Sequence, residues 1–178
     1  MNHPLKQFKY CPQCGSTHFY VHDEKSKQCG DCGFTYYFNP CAATVAVILN
    51  EQGELLVTRR AKEPAKGTLD LPGGFVDSYE TVEQGMLREI LEETGKKASI
   101  VRFLFSVPNI YMYSGFPVHT ADCFFLCRFT SNDTMHAMDD VAELMWLPLA
   151  ALQPSDFGLL SIRQAITQIR AMGDQKEL

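Results

Sequence analysis

Residues 74–95, GFVDSYETVEQGMLREILEETG, decide the fold of this chain. Within them Glu89, Glu92 and Glu93 stand at positions i, i+3 and i+4, which places three carboxylates on one surface of a predicted helix. Like charges at this spacing repel one another and weaken a bare helix. The cluster therefore predicts a cationic partner, and a hard divalent ion such as Mg²⁺ or Mn²⁺ prefers the oxygen ligands that glutamates supply.

The same stretch carries signals for both ends of the helix. Thr81 and Gln84 have the capping-box spacing at the start, and Gly95 stands where a left-handed C-terminal cap belongs. Apolar residues at helical spacing predict one buried stripe between these ends. The stripe comprises Val82, Met86, Leu87, Ile90, Leu91 and Thr94.

Glutamate-rich helices are common on solvated surfaces, so residues 89–93 alone favour an ordinary exposed face. The full string changes this interpretation, because it resembles the signature of the Nudix hydrolases. The matching positions are Gly74, Glu80, Arg88, Glu89, Ile90, Glu92, Glu93 and Gly95. Lys96 departs from the pattern, which has an aliphatic residue there, and this departure concerns local packing rather than the charged positions.

The resemblance implies an α/β fold, the Nudix α/β/α sandwich with a mixed sheet between helices. It also implies Mg²⁺- or Mn²⁺-dependent hydrolysis of a nucleoside diphosphate linked to another moiety. By resemblance, Glu89, Glu92, Glu93 and the carbonyl of Gly74 are the metal ligands, and Glu93 bridges ions. Arg88 holds a glutamate in orientation, with a simple surface ion pair as the alternative.

Glu80 completes the charged signature. It pairs with Arg88 or reaches a metal ion through water. The general base is open at this stage, since in this family it often lies outside the signature. Four residues are candidates: Asp139, Asp140, Glu143 and Glu92.

Basic and aromatic residues near the signature are candidate substrate contacts. Arg59, Arg60 and Lys66 lie where the family often contacts phosphate, and a solvated basic patch is the alternative. Tyr111, Tyr113 and Phe116 suit stacking on a base or a flavin ring, or they pack against their own loop.

Seven cysteines are present. Four of them form two CxxC pairs, Cys11 with Cys14 and Cys29 with Cys32, and each pair is followed by glycine. This pattern is typical of a four-cysteine zinc ribbon rather than of a redox pair or of unrelated buried thiols. With four protein ligands and no open position, the Zn²⁺ site is predicted to be structural.

The chain is predicted to divide into a small zinc ribbon, residues 1–38, and a Nudix hydrolase domain, residues 39–178. Residues 50–53 are predicted to turn between two strands of a hairpin, and residues 108–117 to form a long loop. Predicted strands cover residues 19–21, 34–38, 42–49, 55–60, 99–107, 119–129 and 144–147, and a last helix covers 159–172.

A ribbon ahead of such a domain resembles the NADH pyrophosphatase and ADP-ribose pyrophosphatase branch, although residues 106–111, SVPNIY, match that branch's downstream motif only in part. The resemblance favours an ADP-containing substrate such as NADH, ADP-ribose or FAD. One alternative is an enzyme that removes a nucleotide cap from RNA. Another is a non-catalytic nucleotide sensor whose ribbon docks a partner, which the presence of all three signature glutamates disfavours.

Composition limits the partners. The net charge of −5 disfavours a broad nucleic-acid surface. No apolar run is long enough to cross a bilayer and the N-terminus has no signal-peptide core, so we expect a cytoplasmic protein without membrane contact. A homodimer through residues 34–38 is possible on the sequence, as many members of the family dimerise.

Overall fold

The computed structural model describes residues 3–131, 133–175 and 177–178. The side chain of Tyr111 lies outside the described set. The chain divides into two compact units, Met1–Pro40 and Cys41–Leu178.

Unit 1 is built on a three-stranded antiparallel sheet in the order β1-β2-β3. Its strands are β1 (Phe19–Asp23), β2 (Ser26–Cys29) and β3 (Thr35–Tyr37). The two predicted strands are confirmed, and β2 was not predicted because SKQC offers no apolar run. Its small core joins the buried Cys11, Phe19 and Cys29 to partly buried aromatic residues, so it contains two of the four predicted zinc ligands.

Unit 2 contains two three-stranded sheets. The first has the order β4-β8-β7, with β4 (Cys41–Ile48) parallel to β8 (Phe116–Phe129) and β7 (Ala98–Tyr113) antiparallel to β8. The second is antiparallel with the order β6-β5-β9, formed by β5 (Glu54–Arg60), β6 (Leu69–Asp70) and β9 (Val141–Pro148). Two helices accompany them, α1 (Val82–Thr94) and α2 (Leu160–Asp174).

Alternation along the central strands creates two hydrophobic layers. In β4, Val45 and Val47 join the cluster that contains Ile162 and Ile166 of α2. Ala46 and Ile48 of the same strand join the other cluster, with Met86 and Ile90 of α1. Because successive strand residues point to opposite faces, the sheets lie between α1 on one side and α2 on the other. The predicted α/β/α arrangement is therefore confirmed.

The predicted hairpin at residues 50–53 is wrong. β4 and β5 lie in different sheets, and the backbone pairing described between their ends is an isolated bridge of Leu49 with Leu55. The turn at residues 50–53 does form, with Gly53 at φ 75°, but the strands diverge after it. Apolar residues on both faces let each strand pair elsewhere, so a local turn did not fix the partner.

The predicted loop at residues 108–117 is also wrong. β7 continues to Tyr113, and a two-residue turn at Ser114 and Gly115 leads into β8. Both turn residues have positive φ, 50° and 71°, as tight hairpin turns require. Pro108 suggested a break, yet it lies on the outer strand of its sheet, where a missing N–H is tolerated.

Helix α1 begins and ends as predicted, but its buried stripe is rotated. Thr81 forms the capping box with Gln84, and Gly95 at φ 70° is the left-handed cap. Leu87 and Leu91 are 36% and 42% exposed, so their assignment to the buried stripe is wrong. The helix turns Glu93 inward instead, because that side faces residues 71–77 of the preceding loop.

Candidate active site

The loop between β6 and α1 is held in place by β4. The Thr44 N–H donates to the Gly74 carbonyl at 2.8 Å, and the Ala46 N–H donates to the Pro72 carbonyl at 2.7 Å. Gly73 has φ 149°, and a Cβ atom there would lie 2.0 Å from the Thr44 carbonyl oxygen. Only glycine fits so close to the strand backbone, which explains the flexible residue after Pro72.

Glu93 connects the helix to this loop. Its Oε2 accepts a hydrogen bond from the Gly73 N–H at 3.0 Å, and the residue is only 7% exposed. Burial raises the pKa of Glu93 well above its usual value, and the nearby Glu89, Asp70 and Asp139 carboxylates raise it further. An ionised Glu93 therefore needs a compensating cation.

Arg88 joins the other three signature glutamates. Its guanidinium donates to Glu80 at 2.7 Å, to Glu89 at 2.8 Å and to Glu92 at 2.9 Å, and also to the Phe75 carbonyl at 2.9 Å. These bonds raise the pKa of Arg88, with Glu80 the largest cause, and Arg88 in turn lowers the pKa of Glu80. The arginine thus fixes the orientation of three carboxylates at once.

Glu89 has a second constraint. Burial raises the pKa of its carboxyl, which the hydrogen bond from Arg88 opposes. A Cβ atom at Gly74 would lie 2.5 Å from Glu89 Oε1, so glycine at that position leaves room for the carboxylate.

These groups line a cavity of about 620 Å³ that is rich in carboxylates. The volume suits a nucleotide-sized ligand. Its acidic lining residues are Glu63, Asp70, Asp77, Glu89, Glu92, Glu93, Asp122, Asp139 and Asp140, with Arg60 and Arg88 as the basic ones. So acidic a lining repels a polyphosphate unless cations intervene, and the oxygen donors present fit a hard divalent ion.

The predicted base candidates are separated by the structure. Asp139 and Asp140 line the cavity, and Asp140 pairs with Lys62. Asp139 has φ 52°, an unusual backbone conformation for a residue other than glycine. Glu143 pairs with Arg59 at 3.1 Å, and neither of these two residues belongs to the described cavity lining.

The predicted substrate contacts are likewise divided. Arg60 lines the cavity, where it donates to Asp70 at 2.5 Å and to the Pro64 carbonyl at 2.7 Å. Tyr113 lines it as well and is 59% exposed. Lys66 and Phe116 are not part of the lining as far as the structure describes it. The prediction for Tyr111 concerns a side chain outside the described set.

The sequence did not reveal a polar group at the cavity wall formed by β7, β8 and α2. Asp122 is 4% exposed and accepts hydrogen bonds from the Thr120 and Ser161 hydroxyls, both at 2.5 Å. Asn109 is 3% exposed and pairs in register with Thr120. Polar residues such as Asn109, Thr120 and Asp122 within otherwise apolar strands were the signal that the sequence offered. Their meeting at one cavity wall depends on how β7 and β8 pair, which the sequence does not show.

The four cysteines of unit 1 form a separate cluster. Cys11 and Cys32 bring their sulfurs to 3.7 Å, as do Cys14 and Cys29, and all four ligand atoms lie within 4.8 Å of one another. Backbone N–H groups, that of Cys32 first, lower the pKa of Cys29 to about 6. Among the described residues only this set brings three or more potential ligand atoms so close. Its composition and spacing are compatible with zinc.

Comparisons with known proteins agree with this fold. The family model described as NUDIX domain matches residues 39–166. A relative named NAD-capped RNA hydrolase NudC, from Vibrio cholerae, is 29% identical over 157 residues, which cover 85% of this chain and 54% of the relative. The chain therefore spans about half the length of the curated relatives it matches. No helix within the described residues is long and apolar enough to span a membrane.

Solved structures show the same architecture. A NUDIX hydrolase from Nitrosomonas europaea superposes with a TM-score of 0.72 at 21% identity, covering 92% of this chain and 91% of that one. The NUDIX domain of Shewanella oneidensis NrtR, crystallised with ADP ribose, has a TM-score of 0.59 at 25% identity, covering 76% and 89%.

Proposed function

The chain belongs to the Nudix family, and from that premise we propose that it is a Mg²⁺-dependent pyrophosphohydrolase of an ADP-containing compound such as NADH, ADP-ribose or FAD. The observation that carries this proposal is the convergence of Glu89, Glu92, Glu93 and Arg88 on one cavity of about 620 Å³. The relatives named NudC and the relative crystallised with ADP ribose support an adenosine-containing substrate.

We assign the metal-binding role to Glu89, Glu92 and Glu93. The Gly74 carbonyl accepts the Thr44 N–H at 2.8 Å and the Thr44 hydroxyl at 3.5 Å, so an ion bound there would take the place of the longer of these two hydrogen bonds. When bound, Mg²⁺ would neutralise phosphoryl oxygens and acidify water at the reacting phosphorus. Arg88 keeps the glutamates oriented, and Arg60, although paired with Asp70, is the basic side chain at the far wall that can approach a phosphate.

We assign the general base to Asp139. It lines the cavity, and its charge acts on both Glu89 and Glu93, which places it near the metal-binding carboxylates. Asp140 is committed to Lys62 and Glu143 to Arg59. Replacing Asp139 by Asn should lower kcat at least about a hundredfold, while Asp140→Asn changes it little.

The overall proposal is tested with a substrate panel. The protein is incubated with Mg²⁺ and NADH, NAD⁺, ADP-ribose, FAD, dinucleoside polyphosphates or nucleoside triphosphates, and released AMP or other monophosphates are measured. Hydrolysis of at least one ADP-containing compound is expected, and Glu92→Gln should abolish most of it. Undiminished turnover by Glu92→Gln contradicts the mechanism.

RNA carrying an NAD cap is the second candidate substrate. Curated relatives bear that activity in their name, which weighs against the expectation from net charge that nucleic acid is not a partner. The four-cysteine cluster supports a structural Zn²⁺ in unit 1. The same unit carries the exposed lysines Lys6, Lys9 and Lys25, whose side chains would be available to phosphates. Comparing kcat/KM for NAD-capped RNA and free NAD⁺ decides between the two, because an RNA enzyme should favour the capped oligonucleotide and lose that preference in high salt.

A further inference from the structure

Asn109 occupies an unusual position in the cavity. It is 3% exposed, and its Oδ1 atom is buried with no hydrogen-bond partner among the described residues. A buried carbonyl acceptor without a donor loses its hydrogen bonds to water and gains none in return, so such groups are rare unless a ligand or water completes them. Asn109 lines the same cavity as Glu92 and Glu93.

The hydroxyl groups near Asn109 donate to Asp122, and neither of them donates to the Asn109 carbonyl oxygen. Thr120, the cross-strand neighbour of Asn109, donates its hydroxyl to Asp122 Oδ1, and Ser161 donates to Asp122 Oδ2. Both carboxylate oxygens are therefore satisfied within the protein. Residues of β7, β8 and α2 all contribute to this wall.

Apolar side chains flank this polar wall. Val118 on β8, Leu159 at the N-cap of α2 and Ile162 within α2 line the same cavity. A ligand group that fits between them is flat and apolar on its faces and carries hydrogen-bonding groups at its edge, as a nucleobase does.

The side-chain amide of asparagine has a specific complement among the bases. Its carbonyl accepts from the N6 amine of adenine while its NH₂ donates to an adjacent ring nitrogen, a bidentate pairing that a purine with a carbonyl oxygen at C6 does not make with the same polarity. We propose that Asn109 is a specificity-determining residue that reads the exocyclic amine of an adenine base. This inference rests on the proposed function, because it places the adenosine half of the substrate against β7.

The test compares ADP-ribose with its analogue in which adenine is replaced by purine, which has hydrogen at C6 and no exocyclic amine. Binding of each to the full chain is measured by titration calorimetry, and hydrolysis of each with Mg²⁺ is measured separately. The wild type should bind ADP-ribose about tenfold more tightly than the analogue, since one hydrogen bond to a buried acceptor is lost. Asn109→Leu, similar in size, should reduce this ratio to about one.

Two further variants keep the result interpretable. Asn109→Ala removes the amide without steric demand, and it should also abolish the preference if Asn109→Leu folds poorly. Val118→Ala is the matched control, because it changes an apolar lining residue of the adjacent strand and should weaken both ligands equally.

Equal binding of the two ligands by the wild type, failure to bind either, or an unchanged preference in both Asn109 variants overturns the inference. Hydrolysis is a separate readout. If the binding preference depends on Asn109 but neither ligand is cleaved, the adenine site stands and the proposed function falls. If both ligands are cleaved without preference, the proposed function stands and the adenine site falls.

Discussion

The four-cysteine site of unit 1 and the carboxylate site of unit 2 hold their polar groups in opposite ways. The cysteine sulfurs approach one another within 4.8 Å and leave no position open. The glutamates are instead each held by a protein donor, Glu89 and Glu92 by the same nitrogen of Arg88 and Glu93 by the Gly73 N–H. The first arrangement suits a metal ion that holds a small unit together, and the second suits ions that arrive with a substrate in an open cavity.

The largest effect is expected at the cysteine site. The core cluster of unit 1 contains Cys11, Phe19 and Cys29 with a few partly buried residues, and Leu5 is also buried among the residues that the structure describes. Because so small a core stabilises little, zinc binding should supply most of the folding free energy of unit 1, on the order of 10 kcal/mol. Cys14→Ser, or chelation of the ion, should unfold unit 1 while unit 2 stays folded. Loss of the NMR signals of residues 19–29, with those of β4 and β8 preserved, measures this.

Cys41→Ser is the control for that experiment, because Cys41 is exposed and outside the cluster. If unit 1 keeps its dispersed signals in Cys14→Ser, or if no zinc copurifies with the wild type, the cysteine site is not the structural metal centre described above.

Substitutions at the carboxylate site should lower the enzymatic activity and leave the protein folded. Glu93→Gln should lower kcat/KM at least about a hundredfold, because it removes an anionic ligand. Without metal, the variant should melt at the same temperature as the wild type or higher, since burying a neutral amide is less costly than burying a carboxylate. Enzyme kinetics and thermal unfolding with and without Mg²⁺ measure both effects.

Glu83→Gln serves as the comparison, because Glu83 lies exposed in the first turn of the same helix. A fall in activity shared by both variants would assign the effect to helix charge and not to the site.

A substitution of Arg88 tests whether activity depends on the orientation of the glutamates. Lysine keeps the charge but cannot donate to Glu80, Glu89, Glu92 and the Phe75 carbonyl together, so Arg88→Lys should lower kcat/KM about 10- to 100-fold. Arg59→Lys, which alters the pair with Glu143 outside the cavity lining, should change kcat/KM about twofold or less. A larger loss in Arg59→Lys than in Arg88→Lys would reverse these assignments.

The smallest effect concerns acid stability. Arg88 lowers the pKa of Glu80 below its usual value of 4.5, so the folded state holds the carboxylate more favourably than the unfolded state. This stabilisation is present above pH 4.5 and is lost as the pH falls through the lowered pKa. Chemical denaturation between pH 3 and 6 should show a steeper acid limb for the wild type than for Glu80→Gln, and parallel curves would contradict the pairing.

Signals between residues close in the sequence were sufficient to predict several structural elements. The capping box at Thr81, the cap at Gly95 and the two CxxC pairs all depend on neighbours a few residues apart, and the structure forms all of them. The buried face of α1 was predicted incorrectly. Leu87 and Leu91 are apolar at helical spacing, yet they are exposed, and Glu93 is buried instead. Hydrophobic periodicity cannot anticipate a buried carboxylate whose partner is a backbone N–H of the loop that precedes the helix.

The sequence by itself determined which carboxylates share a helix, which four cysteines form one cluster, and to which family the chain belongs. Only the tertiary structure decided the partners of β4 and β5, the continuation of β7, and the cavity wall where Asn109 meets Thr120 and Asp122. The physical reason is that spacing along the chain fixes which side chains share one element. Contacts between elements depend instead on strand pairing and burial, which the whole fold sets together.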